Sequence, residues 1–174
     1  GEDYSICGDC VHRGVANPNK KSGGADKRSC YVMLLMLLSI YKAYKKGKYK
    51  RLHGHTAISE WFRDELVRLG AYGDPSAVPS YIWDSFLASA KGRTGYTHQH
   101  NLVSTRYDLC MKSADTREEA IASWNEGIRT FRVIKNVDEV VKGKEILCPA
   151  SAEMGRRTTC DDCKLCSGSS INAK

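Results

Sequence analysis

The sequence has no apolar run long enough to cross a bilayer. Its longest, Tyr31 to Ile40, falls short of the roughly 20 residues a spanning helix needs. It also runs straight into Lys42, Lys45 and Lys46. That run reads as a buried helix and gives no membrane segment. Also missing are Gly-x-Ser-x-Gly, His-Glu-x-x-His, any Walker pattern and any dinucleotide glycine fingerprint. Hydrolase and NAD-dependent readings therefore lack support. No signal peptide is visible. The opening Gly1-Glu2-Asp3 has no methionine and reads as a processed or tag-derived end. Acidic residues are the minority, 20 against 27 lysines and arginines, for a net charge of +7. Much of the excess sits in Lys42 to Arg51 and Lys20 to Arg28. A basic balance favours acidic partners such as nucleic acid, and residues 42–51 are where such a partner is expected.

What is present suits one α/β domain over residues 1–174. Hydrophobic residues make up 41%, enough for a core and too many for disorder throughout. Eight cysteines would fit a secreted disulfide protein. Their Cys-x2-Cys spacing suits metal ligation better, so the expected setting is a reducing cytoplasm.

Residues 1–30 read as a cysteine- and glycine-rich loop segment. Its part from Gly14 to Ser29 could cradle an anion, although a solvated loop explains it as well. A helix is expected from Tyr31 to Lys46, stopped by Gly47. A strand–helix rhythm follows. Tyr49 to His53 reads as a strand, and Thr56 to Leu69 as a helix ended by Gly70. Asp74-Pro75 reads as a turn, and Pro79 to Ala90 as a helix. Thr94 to His98 and Tyr107 to Lys112 are expected strands. Asp115, with Glu118 three residues on, opens a helix that Gly127 closes. Ile128 to Ile134 alternates as a strand does. Val137 to Val141 reads as a short helix and Glu145 to Cys148 as a last strand. Trp61, Trp83 and Trp124 fall on expected helices and read as core. Strands separated by helices imply a mainly parallel sheet built from βα units, as a partial barrel or an open sheet. The site is then expected at the carboxyl ends of the strands.

The densest chemistry is the knuckle of residues 148–166, holding Cys148, Cys160, Cys163 and Cys166. Thiolates three residues apart can wrap one ion, because the intervening amides turn toward sulfur. Three in series resemble ferredoxin ligand loops and favour a 4Fe-4S cluster. A tetrahedral zinc is the alternative. Cys7 and Cys10 form a second Cys-x2-Cys pair, with Cys30 expected to open the first helix, where the dipole favours thiolate. These three could hold a cluster with an open iron, or zinc completed by water or His12. Cys110 or a knuckle cysteine could also complete the set. His53 and His55 flank one expected strand end, His98 and His100 another. Ser113 and Asp115 end a third, and Arg129 and Arg132 decorate a fourth. His53, His98 and Ser113 are the candidate cofactor-binding residues at those ends.

Several of these segments together resemble a family of phage- and plasmid-encoded proteins described as gene-product-88-like. They are the Cys7/Cys10 pair, Ser29-Cys30-Tyr31, Arg51-Leu-His-Gly-His-Thr, Gly95-Tyr96-Thr97-His98, Lys112-Ser113-Ala114 and the knuckle. The resemblance spans nearly the whole chain. It implies a cysteine-rich phage accessory protein in the cytoplasm of an infected host cell, with a host protein as a further partner. Members continue past the last cysteine into another strand, which implies a shortened domain here. The layout is also remotely similar to radical S-adenosylmethionine enzymes, without their Cys-x3-Cys-x2-Cys signature. The functional expectation is an iron–sulfur protein, as a redox or radical-type enzyme. The alternative is a zinc-stabilised protein that binds nucleic acid or inhibits a host factor.

Overall fold

The first 30 residues do not form the plain loop expected of them. In a computed structural model, which describes residues 4–8, 10–17, 19, 25–30, 32, 34–100 and 106–168, they carry helix α1 (Tyr4–Cys7) and a 3-10 turn at Val11–Arg13. Strands β1 (Val15–Ala16) and β2 (Ala25–Asp26) then pair antiparallel. Most of the expected anion-binding loop between them lies outside the described residues. Helix α2 (Leu34–Lys45) follows and ends near Gly47, whose φ of +66° suits glycine. It is not buried as expected. Met36, Leu38, Tyr41 and Tyr44 are all at least half exposed. The sequence supplied apolar residues but not a surface to cover them.

The strand–helix rhythm begins later than expected. Tyr49 to His53 is coil, since an extended segment becomes a strand only against a ladder partner. Helix α3 (His55–Trp61) ends early because Asp64 takes a left-handed φ of +61°. That frees Leu66–Arg68, expected as helix, to become strand β3. Helix α4 (Ser80–Leu87) packs on α3, with the Phe62 and Phe86 rings 4.4 Å apart. Trp83 donates its indole N–H to the Pro75 carbonyl, while Trp61 is exposed and is not core.

Strands β4 (Gly92–Thr94) and β5 (Tyr96–Thr97) are two halves of one run, broken at Gly95. β3 pairs parallel with β4. β6 (Met111–Ala114) pairs parallel with β5 and with β7 (Thr130–Arg132). The expected strand from Tyr107 is shifted, because residues 107–109 form the turn before β6. Helix α5 (Arg117–Asn125) joins β6 to β7 and is capped by Thr116. Its fully buried Ala120 and Ser123 are small, which lets the helix lie close on the sheet. Strand order therefore follows chain order, as successive βα units require. The result is a mixed α/β chain with small parallel sheets. After a 3-10 turn at Val137–Glu139, the expected strand Glu145 to Cys148 is coil. Helix α6 (Cys160–Cys163) is the last element among the described residues. No helix among the described residues is long and apolar enough to cross a membrane.

Among the described residues the buried apolar set is Leu69, Leu109, Cys110, Met111, Ala114 and Ala120. Beside it is a buried polar set that includes Asp74, Ser76, Thr97, Gln99 and Ser113. Buried polar groups need partners. Those of Asp74, Ser76, Thr97 and Gln99 lie at the carboxyl end of β5.

Candidate functional site

The carboxyl end of β5 is organised by Asp74. One carboxylate oxygen accepts the Ser76 backbone N–H at 2.9 Å and the Thr97 hydroxyl at 2.7 Å. The other accepts the His98 backbone N–H at 2.8 Å. Thr97, fully buried, also accepts the Gln99 N–H at 3.0 Å. These contacts reach back to the start of the chain. The Asp74 N–H donates to the Ile6 carbonyl at 3.0 Å, and the Gln99 side-chain amide donates to the Cys7 carbonyl. The segment bearing Cys7 and Cys10 is thereby tied over the strand end.

Three ligand-type side chains converge there. His12 stands in the Val11–Arg13 turn, His98 follows β5 and Asp115 follows β6. Each histidine Nε2 faces the same oxygen of Asp115, at 3.4 Å for His12 and 3.5 Å for His98. The two rings meet edge to face with centroids 4.9 Å apart. All three ligand atoms lie within 4.8 Å of one another. His12 is fixed from behind. Its Nδ1 lies 2.8 Å from the Ser29 hydroxyl, and its carbonyl accepts the N–H groups of Ser29 and Cys30. The same contacts bring Cys30 to this end of the sheet. Helix α2 begins only at Leu34, so Cys30 does not take the helix-terminal place expected of it. Burial lifts the Cys10 thiol above its usual pKa. The His12 backbone N–H pulls it down, while Asp74, Cys30 and Asp115 add to the rise.

The C-terminal knuckle docks at the other end of the sheet through residues 165–168. Thr159 caps α6 by accepting the Asp162 N–H, and Lys164 turns the chain in a left-handed conformation at φ +53°. The Cys166 carbonyl accepts the Gly95 N–H at 3.1 Å, just ahead of β5. A Cβ at Gly95 would meet the Leu69 and Cys110 side chains at 2.9 and 3.3 Å, so the approach needs glycine. Arg129, just ahead of β7, donates to the carbonyls of Leu165 (2.6 Å) and Gly168 (3.0 Å). Burial raises the Cys166 thiol pKa. A hydrogen bond with Tyr96 lowers it, and the charges of Cys148, Cys160 and Cys163 raise it. Even so, among the described residues no three sulfurs lie within 4.8 Å of one another. The Tyr96 phenol is itself raised by burial and by Cys166.

No family model, no curated protein and no solved structure matches the chain. The site is read from its geometry.

Of the expected cofactor residues, His98 is at the converging group. Ser113 is buried within β6, opposite Phe131. His53 is exposed in the coil before α3 and does not join the converging group. His55 pairs with Ser85 at 2.9 Å, and His100 faces the Tyr107 hydroxyl at 3.4 Å. Cys110 is 2% exposed, points its thiol at the Arg106 carbonyl and has its pKa pushed up to about 12, chiefly by burial. It belongs to the core. Arg129 lies at the amino end of its strand, and Arg132 serves the Glu145 carboxylate. From the sequence, Asp115 is expected at a strand end and His12 as a ligand completing the N-terminal cysteines, whereas Asp74 reads only as a turn residue and Tyr96 carries no signal of its own.

Proposed function

We propose that this is a metal-binding protein carrying iron–sulfur clusters, of the kind its phage-like cysteine layout suggests, working in the cytoplasm of an infected host. The sequence spacing of Cys148, Cys160, Cys163 and Cys166, with the segment that bears Cys166 docked on one end of the sheet, carries the reading. Four thiols complete the ligand set of a cubane cluster. A tetrahedral zinc, with bonds of about 2.3 Å, would draw its sulfurs to about 3.8 Å apart. The three cysteines in series, Cys160, Cys163 and Cys166, favour the cluster, since zinc ribbons show two separated pairs. Such a cluster supplies one-electron transfer. The chain's own contribution is positional. Arg129 and Gly95 anchor the loop, and the Tyr96 hydroxyl donates to the Cys166 sulfur, which tunes a bound cluster. Cys7, Cys10 and Cys30 form a second, three-thiol set over the carboxyl strand ends, with a ligand position left for substrate.

Anaerobic purification followed by iron, sulfide and zinc analysis tests this. Brown protein with matching iron and sulfide is expected. Colourless protein with stoichiometric zinc overturns it.

A second reading, a zinc-stabilised nucleic-acid binder, is favoured by the surface of residues 42–51. The Lys50 ammonium lies 4.1 Å over the exposed Trp61 ring, and Lys45 lies 5.8 Å over Tyr41. Lysines among exposed aromatics suit a stacking, phosphate-rich partner. Neutralising Lys45, Lys46, Lys48, Lys50 and Arg51 together is then expected to weaken binding and flatten its salt dependence. No binding of single-stranded DNA or RNA at low salt removes this reading.

A further inference from the structure

We propose that His12, His98 and Asp115 form a site for one divalent first-row transition ion, held by nitrogen and oxygen and not by the neighbouring thiols. The argument begins with spacing. Bonds of about 2.1 Å to an ion place neighbouring ligand atoms about 3.0–3.5 Å apart. The two Nε2···Oδ1 separations, 3.4 and 3.5 Å, fall in that span without rearrangement. The ligand types agree as well. Two imidazoles and one carboxylate on one side of an ion are a recurring set that leaves other positions open.

The support behind the ligands is of the kind metal sites use. A ligating histidine usually engages its second ring nitrogen, which fixes the ring and the tautomer. His12 does so through Ser29, leaving Nε2 toward Asp115. His98 is placed by its backbone, whose N–H is held by the buried Asp74. Asp115 is placed by the capping of α5, its own N–H donating to Glu119 at 2.8 Å. Three ligands thus arrive from three elements, each fixed independently. The three side chains keep 39%, 23% and 38% exposure, so open positions on the ion would face solvent and any substrate. An ion there could bind and polarise an oxygen-bearing ligand.

Cobalt(II) binding tests the site without relying on the cluster reading. The full-length chain carrying Cys7→Ser, Cys10→Ser and Cys30→Ser is titrated with cobalt. Any N-terminal binding in it must use nitrogen and oxygen ligands. One cobalt beyond any that the knuckle takes is expected, adding visible ligand-field bands and no further near-ultraviolet sulfur-to-cobalt charge transfer. Adding His98→Ala or the near-isosteric Asp115→Asn is expected to weaken binding at least about 10-fold. His100→Ala, two residues from His98, is expected to leave it unchanged. Circular dichroism and thermal melting verify that each variant folds. The proposal is overturned if folded Asp115→Asn binds cobalt as before. It is overturned equally if cobalt binds only while the three cysteines are intact, or if the three side chains form a hydrogen-bonded cluster that takes no ion. Iron and sulfide content, measured on the unmodified protein, reports on the cluster reading separately.

Discussion

Asp74 precedes a proline, and its sequence context marks only a turn. Its carboxylate in fact collects donors from the backbone of Ser76, the hydroxyl of Thr97 and the backbone of His98. Two of those partners lie 23 and 24 positions later, so nothing local announces them. Replacing a shared acceptor strands every donor it served, and each stranded buried donor costs about 1–3 kcal/mol. Asp74→Ala is therefore expected to lower unfolding free energy by about 3 kcal/mol, read from urea denaturation. A loss under about 1 kcal/mol would mean that water replaces the carboxylate, and Asp74 would then not be the organiser of the site. The residue scale also explains which site residues were legible. Cysteines at Cys-x2-Cys spacing advertise themselves, because their chemistry depends on a short local turn. His12 and Asp115 meet only because two strand ends and an N-terminal turn converge, and no local pattern encodes that meeting.

At the scale of elements, capped helices were the most legible. The expected helix from Asp115 stands as α5 with its cap one residue later, at Thr116, and Gly127 ends it at φ +74°. Strand β3 was hidden inside a helical apolar pattern, since the left-handed turn at Asp64 leaves no strong mark in sequence. The segment before Cys148 was expected as strand and is held instead by a side chain. Arg132 of β7 grips Glu145 with two hydrogen bonds, at 3.0 and 2.7 Å, and both side chains are largely buried. Glu145 also accepts the Val141 N–H at 2.9 Å. The Arg132 hydrogen bonds hold the Glu145 carboxyl below its usual pKa. A depressed carboxyl contributes stability above its unfolded pKa, near 4.5, and loses it as pH falls through the folded value. Glu145→Gln is thus expected to cost about 3 kcal/mol at pH 7, because it leaves Arg132 buried without its counter-charge. The variant's melting temperature should also fall less than the parent's as pH drops below about 4.5. Parallel acid limbs in the two proteins would show that this pair does not carry the acid sensitivity.

For the whole molecule, the decisive feature is that the two cysteine-bearing segments dock at opposite ends of the parallel strands. Cys7, Cys10 and Cys30 come with residues that follow β5 and β6, while the knuckle docks on residues that precede β5 and β7. Proximity of chain ends in an α/β sheet could have merged the groups into one site, and the sequence left that open. The docking contacts favour two. The charges that act on Cys10 come from Asp74, Cys30 and Asp115; those that act on Cys166 come from Cys148, Cys160 and Cys163. The two ends should also differ in consequence. The knuckle's carbonyls accept from Gly95 and Arg129, so metal held there is coupled to the sheet, and its binding free energy counts as folding free energy. The N-terminal segment is tied down by the Asp74 N–H on the Ile6 carbonyl and by the Gln99 amide on the Cys7 carbonyl, contacts that do not need metal. Cys160→Ser is therefore expected to remove one centre's metal and lower the melting temperature. Cys7→Ser should remove the other centre's metal and leave the melting temperature closer to the parent's. Metal analysis with thermal melting on the two variants decides. If either substitution empties the protein of all metal, the thiols share one site and the division between a working end and an anchoring end falls.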